Sequence, residues 1–159
     1  MKTVNVVIAG LGGQGVIKAS DILADVAFRA GFDVKKSELH GMSQRGGSVS
    51  SDVRFGEGIL SPMVPDGEAD ALLVFDKDQI AVNRHRVRAG VAPIDTDALA
   101  DAKLPNKKSL NVAMLGLLSA VLQDLPEATW HEALAAAFSG EAAIANREAF
   151  QIGRALGRK

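Results

Sequence analysis

Residues 4–15 read Val-Asn-Val-Val-Ile-Ala-Gly-Leu-Gly-Gly-Gln-Gly, a short β-branched run followed at once by a glycine loop. A run with so few polar residues is typical of a buried strand that lies centrally in a parallel sheet. Residues 16–30 then place apolar side chains at helical spacing, and Gly31 follows where helices commonly end. The sequence therefore predicts a strand, a glycine loop and a helix as the opening unit of an α/β fold.

The glycine loop has the spacing G-x-G-x-x-G, formed by Gly10, Gly12 and Gly15. Such glycines permit a tight turn and let backbone N–H groups approach a phosphate at a helix N-terminus. On the loop alone, a phosphate site and a turn that only packs the helix remain equally open. A nicotinamide dinucleotide site with Glu38 as its ribose-binding acid fits poorly, because the second strand is polar and a glycine loop follows it.

A second glycine-rich segment lies between two further predicted strands, at residues 34–39 and 48–55. The first of these strands carries two lysines and a glutamate, which indicates a position near the sheet edge. Strand, glycine loop and strand suggest a hairpin-like excursion rather than a helical crossover. Arg45, beside Ser43 and Gln44, is suited to clamp a phosphate, although a polar loop with Arg45 in solvent is the simpler interpretation. A hydrolase nucleophile elbow is excluded, because it needs glycine where Arg45 stands.

The composition predicts a single domain of 159 residues and restricts its chemistry. The net charge of −1 gives no global field for nucleic acid or membrane surfaces, so phosphate binding needs a local site. The absence of cysteine excludes disulfides and thiolate-held clusters or metals in this chain. The longest apolar run, residues 110–122, is too short to span a membrane, and we expect a cytoplasmic protein. We also expect the chain to end in a C-terminal helical segment. Arg84, Arg86 and Arg88 form a small basic cluster with His85, for which a solvated helix end is the favoured interpretation and a phosphate or partner site stays open.

The ordered series of motifs resembles the gamma-type domain of 2-oxoacid:ferredoxin oxidoreductases, in the form of the indolepyruvate beta subunit. The likeness covers nearly the whole chain, so residues 1–159 are expected to form a single gamma-type catalytic domain. It is strongest over residues 8–56, where Met-Ser-Gln-Arg-Gly-Gly occupies residues 42–47. Its motifs are Gly-Leu-Gly-Gly-Gln-Gly at 10–15, Glu-Leu-His-Gly-Met-Ser-Gln-Arg-Gly-Gly-Ser-Val at 38–49, Asp-Val-Arg-Phe-Gly at 52–56, and Asn111 before an apolar helix.

The resemblance implies a Rossmann-like three-layer α/β sandwich with a mainly parallel sheet. It also implies a subunit of an enzyme that converts a 2-oxoacid to an acyl-CoA and passes electrons to ferredoxin. Thiamine diphosphate, magnesium and iron–sulfur clusters would lie on a large alpha subunit, since this chain has no cysteine and no thiamine motif. We expect a dimer of heterodimers, with no metal held by this chain and no activity in isolation.

Coenzyme A would be the co-substrate at this subunit, and the resemblance carries its phosphate-binding role onto two loops and one helix. His40 is a weak catalytic candidate beside the second loop. A related enzyme acting on another 2-oxoacid and a stand-alone nucleotide-binding regulator both remain open. The expected cofactor-binding residues are Gly10, Gly12, Gly13, Gln14, Gly15, Ser43, Gln44, Arg45, Gly46, Gly47 and Asn111.

Overall fold

The computed structural model describes residues 2–40 and 47–159, which form a mixed α/β domain. Within these ranges, 3-10 turns at Arg84–Arg86, Thr96–Leu99 and Lys107–Ser109 connect the later elements. The strands are β1 (Val4–Leu11), β2 (Asp33–His40), β3 (Ser48–Gly56) and β4 (Ala71–Val74). The helices are α1 (Val16–Arg29), α2 (Asp78–Asn83), α3 (Leu110–Val121), α4 (Glu127–Ala137) and α5 (Gly140–Gly157).

The four strands follow the order β2-β3-β1-β4, and only β1 and β4 run parallel. The prediction of a mainly parallel sheet was therefore wrong. Residues 41–47 alone join β2 to β3, and a connection this short can join only antiparallel strands, because a parallel pair needs a crossover of a dozen or more residues. The predicted hairpin and the edge position of β2 are confirmed, and so is the interior position of β1.

Alternation along β1 divides the apolar residues between two faces of the sheet. Val6 and Ile8 face the larger core, which α1 and α3 cover directly and which α4 and α5 close from behind. Val7 and Ala9 face a smaller cluster, which α2 and the segment between β3 and β4 cover. The layers on the two faces are therefore unequal, and the second face stays partly open beside β2 and β3.

The C-terminal helices pack closely because glycines stand where α3 and α5 cross. A Cβ atom on Gly153 would lie 1.9 Å from the Ala113 carbonyl oxygen, and one on Gly116 would lie 2.2 Å from the Phe150 carbonyl oxygen. Neither glycine could carry a side chain without separating the two backbones. This contact fixes α3, whose N-terminal end reaches the glycine loop.

No helix in the described ranges, 2–40 and 47–159, is both long and apolar enough to cross a membrane.

Candidate functional site

The loops singled out in the sequence meet at one edge of the sheet. β1 ends at Leu11, which pairs with Ser48 at the start of β3, and His40 at the end of β2 pairs with Val49. β4 ends beside the same edge, where the Phe75 N–H donates to the Ala9 carbonyl at 2.9 Å. Chain segments that leave this edge therefore share one small region at the carboxyl end of β1, the usual place for ligands in open α/β sheets.

The glycine loop turns into α1 through two residues with left-handed backbone. Gly13 has φ +92° and Gly15 has φ +86°, a conformation that side-chain-bearing residues adopt only with strain. Gly15 is the N-cap of α1 and, being glycine, offers no side chain to cap the first helical N–H groups. The first turn also contains no acidic residue. The positive end of the helix dipole is therefore open to an anion.

Gln14 is held against the protein rather than extended into solvent. Its Oε1 accepts from the Leu11 N–H at 2.7 Å, and its Nε2 donates to Asp76 Oδ2 at 3.4 Å. Gly10 makes room for this arrangement, since a Cβ atom there would lie 2.8 Å from Gln14 Oε1. Gln14 thus stabilises the loop through its own hydrogen bonds, and it also lines the cavity beside the loop.

Asn111 approaches the glycine loop from α3. Its Nδ2 lies 3.5 Å from the Gly15 carbonyl oxygen. The N-terminal end of α3 and the loop enclose a cavity of about 380 Å³. The residues that line this cavity are Gly13, Gln14, Gly15, Phe75, Lys107, Lys108, Leu110 and Asn111.

Two lysines in this lining, Lys107 and Lys108, are not among the binding residues expected from the sequence. A 3-10 turn holds them, and Asn106 caps that turn by accepting the Lys108 N–H at 2.9 Å. Both side chains are exposed, and neither forms an ion pair with any residue in the described ranges. Asn106 followed by paired lysines, just before the helix with Asn111, is the signal that could have found them.

The second predicted loop is adjacent to the first at its C-terminal anchor. The Gly12 N–H donates to the Gly47 carbonyl at 2.9 Å. Ser43, Gln44, Arg45 and Gly46 lie outside the described residues, so their predicted role stays a prediction. Because residues 41–46 begin after His40 and end before Gly47, their two anchors are both at the edge that carries the glycine loop.

His40 does not share the glycine-loop cavity. It is exposed at the end of β2 and lines a separate groove of about 460 Å³ on the face that carries α2. Arg86 and His85 line the same groove. The proton-transfer candidate and the glycine-loop residues are therefore on different surfaces of the domain.

Two acidic residues near this groove are engaged in ion pairs. Glu38 pairs with Lys36; partial burial lowers the Lys36 pKa, but hydrogen bonds to Asp21 and Glu38 outweigh burial and leave that pKa raised. Asp52 forms a two-pronged pair with Arg86, at 3.0 and 2.7 Å, and accepts the Val64 N–H at 2.9 Å. The interpretation of Arg86 as part of a solvated helix end was therefore wrong. Its guanidinium donates to Asp52 on β3 and to the Val64 carbonyl, and so holds the segment between β3 and β4 against the sheet.

Comparison with known proteins gives a consistent similarity. The family model for "Pyruvate ferredoxin/flavodoxin oxidoreductase" matches residues 5–92 and 87–156. The indolepyruvate oxidoreductase subunit IorB of Thermococcus kodakarensis is 53% identical over 76 residues, which are 48% of this chain and 38% of that protein. The match thus spans well under half of that relative's length.

Two solved structures show the same fold. The gamma subunit of a keto/oxoacid ferredoxin oxidoreductase from Geobacter sulfurreducens superposes with a TM-score of 0.82 at 21% identity, covering 99% of this chain and 97% of that chain. The 2-oxoglutarate:ferredoxin oxidoreductase from Magnetococcus marinus, solved with 2-oxoglutarate, coenzyme A and succinyl-CoA, gives a TM-score of 0.82 at 23% identity. This second match covers 99% of this chain and 31% of that chain.

Proposed function

Because the chain belongs to the pyruvate ferredoxin/flavodoxin oxidoreductase family, we propose that it is the small subunit of an indolepyruvate-type 2-oxoacid:ferredoxin oxidoreductase that helps to bind coenzyme A. The similarity to an indolepyruvate oxidoreductase subunit supports the substrate class. The coenzyme A in a related enzyme of the same fold supports the co-substrate.

The observation that carries the proposal is the cavity between the glycine loop and the N-terminal end of α3. Its lining combines a helix N-terminus without a capping side chain, the Asn111 amide and two lysines, and the lining residues within ranges 2–40 and 47–159 include no acidic side chain. Such a set donates hydrogen bonds and positive charge without offering a base or a nucleophile. It suits the binding of phosphate groups, and coenzyme A carries several.

The role of this chain in the reaction is binding and orientation. The enzyme would join an acyl group, formed by oxidative decarboxylation of the 2-oxoacid, to the coenzyme A thiol and pass two electrons to ferredoxin. Thiamine diphosphate with magnesium would supply the carbanion chemistry and iron–sulfur clusters the electron path, both on a large alpha subunit. This chain has no cysteine with which to hold a cluster.

A tagged pull-down from the native cell, under anaerobic and gentle conditions, tests the proposal. We expect a brown complex that contains a large cysteine-rich subunit and thiamine, in equal numbers of large and small chains. The complex should decarboxylate indolepyruvate only when coenzyme A and ferredoxin are present. A colourless protein without a partner would overturn the proposal and favour a stand-alone nucleotide-binding regulator.

A substrate panel on the same complex separates the indolepyruvate assignment from its relatives. Indolepyruvate, another arylpyruvate, a branched-chain 2-oxoacid, pyruvate and 2-oxoglutarate would be compared by kcat/KM. The highest value for an arylpyruvate supports the proposed substrate class. A preference for pyruvate or a branched-chain acid would keep the subunit assignment and correct the substrate.

Arg45 is proposed as a charged contact to coenzyme A from the second loop. Arg45→Ala in the assembled complex should raise the coenzyme A concentration needed for half-maximal rate, and Arg45→Lys should restore much of the loss, because it keeps the charge. Arg84→Ala is the matched control, since Arg84 is exposed and lies outside the lining of either cavity. An unchanged coenzyme A requirement in Arg45→Ala would remove Arg45 from the site.

A further inference from the structure

We propose that Lys107 and Lys108 neutralise a phosphate group of coenzyme A in the glycine-loop cavity. The inference rests on the proposed function and assigns to it two residues that sequence motifs do not mark. The ligand chemistry is a phosphate monoester or diphosphate, and the experiment below distinguishes the two.

The position of the two lysines is built into the backbone. Asn106 caps their turn from one side, and the turn runs directly into Ser109 and α3. The Ser109 N–H donates to the Asn106 carbonyl at 3.0 Å, which closes the turn on itself. The lysine backbone is therefore fixed relative to Asn111, while the long side chains remain free to adjust to a ligand.

The positive charges of Lys107 and Lys108 differ from those of two other lysines, which carboxylates neutralise. Lys77, close by in sequence to the cavity residue Phe75, pairs with Asp97 at 2.7 Å. Lys36 is shared between Asp21 and Glu38. Lys107 and Lys108 have no ion-pair partner in ranges 2–40 and 47–159, although the chain as a whole carries slightly more acid than base.

The groups opposite the lysines complement them. Gly13 and Gly15 present backbone without side chains, and nothing lies within 4 Å of a Cβ atom placed on Gly13. On the loop side, the Asp76 carboxylate accepts a hydrogen bond from the Gln14 amide at 3.4 Å. A phosphate in this cavity would therefore face donors from the glycine loop on one side and two ammonium groups on the other.

Because both lysines are exposed, their contribution to the affinity for coenzyme A should depend on the salt concentration. Interactions between exposed charges are screened over about 8–10 Å at physiological ionic strength. The affinity for coenzyme A should therefore fall as salt rises, and part of that dependence should disappear when the two charges are removed.

The test compares a charge-removing double variant, Lys107→Gln with Lys108→Gln, with wild type in the assembled complex. Lys103→Gln is the matched control, because Lys103 is exposed in the same connecting segment but does not line the cavity. We expect the double variant to raise the apparent KM for coenzyme A roughly tenfold or more at low salt, with kcat nearly unchanged. Its KM should also depend less on salt, and the double Lys→Arg variant should recover most of the affinity.

Dephospho-coenzyme A, which lacks the 3′-phosphate but keeps the diphosphate, shows which of these two groups the lysines contact. If the difference between the double Lys→Gln variant and wild type disappears with this analogue, the lysines contact the 3′-phosphate. If the difference persists, they contact the diphosphate, and either result supports the proposal. An unchanged KM and salt dependence in the double variant, in a complex that still requires coenzyme A, would overturn the lysine assignment alone. A wild-type complex that turns over without coenzyme A would overturn the proposed function and this inference with it.

Discussion

Gly15 and Asn111 approach each other so closely that a Cβ atom on Gly15 would lie 2.6 Å from Asn111 Nδ2. The two residues are 96 positions apart, and one belongs to the glycine loop while the other belongs to α3. The glycine at position 15 is therefore required twice, by its left-handed backbone and by the amide that packs on it. This contact joins the first motif of the sequence to its last.

We predict that Gly15→Ala destabilises the chain more than Gly13→Ala. Both positions have positive φ, so each alanine carries the left-handed penalty of about 1–2 kcal/mol. Only the Gly15 variant must also displace Asn111. Urea denaturation of both variants measures the difference. When Asn111 is also changed to alanine, the additional loss of unfolding free energy caused by Gly15→Ala should vanish. If the whole additional loss remained in the Gly15→Ala, Asn111→Ala double variant, the contact between the two residues would be contradicted.

Arg86→Met should be strongly destabilising, because it leaves Asp52 as an uncompensated buried charge. The Arg86 and Asp52 side chains retain only 12% and 7% of their exposure, and removal of one partner from such a pair costs about 3–5 kcal/mol. The free energy of unfolding in urea measures the loss. Lys77→Met, which removes an exposed ion pair with Asp97, should leave the midpoint nearly unchanged. Equal small effects in both variants would contradict the role assigned to Arg86.

The opening of the fold could be predicted because its determinants are local. A β-branched run, glycines at fixed spacing and an amphipathic segment specify β1, the loop and α1 without reference to the rest of the chain. The hairpin of β2 and β3 could also be predicted from the sequence, because residues 41–47 are rich in glycine. The strand directions of the whole sheet differ from the prediction, because the resemblance implies a mainly parallel sheet whereas the short connection at residues 41–47 makes β2 and β3 antiparallel.

The part of the site that could not be predicted depends on tertiary packing. Lys107 and the glycine loop line the same cavity because α3, which packs closely on α5 at Gly116 and Gly153, brings its N-terminal end there. The burial of Arg86 likewise depends on Asp52, which lies 34 positions earlier in the chain. Neither relationship leaves a periodic pattern in the sequence.

Gly153→Ala tests the helix crossing that positions the cavity. Helix propensity alone favours alanine by about 1 kcal/mol, so an isolated helix would gain from this change. The Ala113 carbonyl lies in the way, and we expect a net loss of about 1–3 kcal/mol from overpacking. Ala155→Gly, at an exposed position of α5, measures propensity without the contact. A stabilised Gly153→Ala variant in urea denaturation would show that the helices do not cross as described.

The Glu127 carboxylate makes the contact between α4 and α5 sensitive to acid. A hydrogen bond from Gln151, then the interaction with His131, and also the charge of Arg154 lower the Glu127 pKa from its ordinary value. The folded chain therefore holds this proton more weakly than the unfolded chain does. The stabilising contribution is present above the ordinary glutamate pKa and disappears as the pH falls through the lowered pKa.

Glu127→Gln should accordingly reduce the thermal midpoint at neutral pH by a small amount, since the carboxylate is largely solvated. The difference between variant and wild type should shrink as the pH falls through the lowered Glu127 pKa, below which the wild-type carboxylate is itself protonated. Melting curves recorded across this range measure the convergence. Glu132→Gln, an exposed position of the same helix, controls for the loss of one surface charge. A pH-independent difference would show that the Glu127 contacts contribute by packing and not through the charge of its carboxylate.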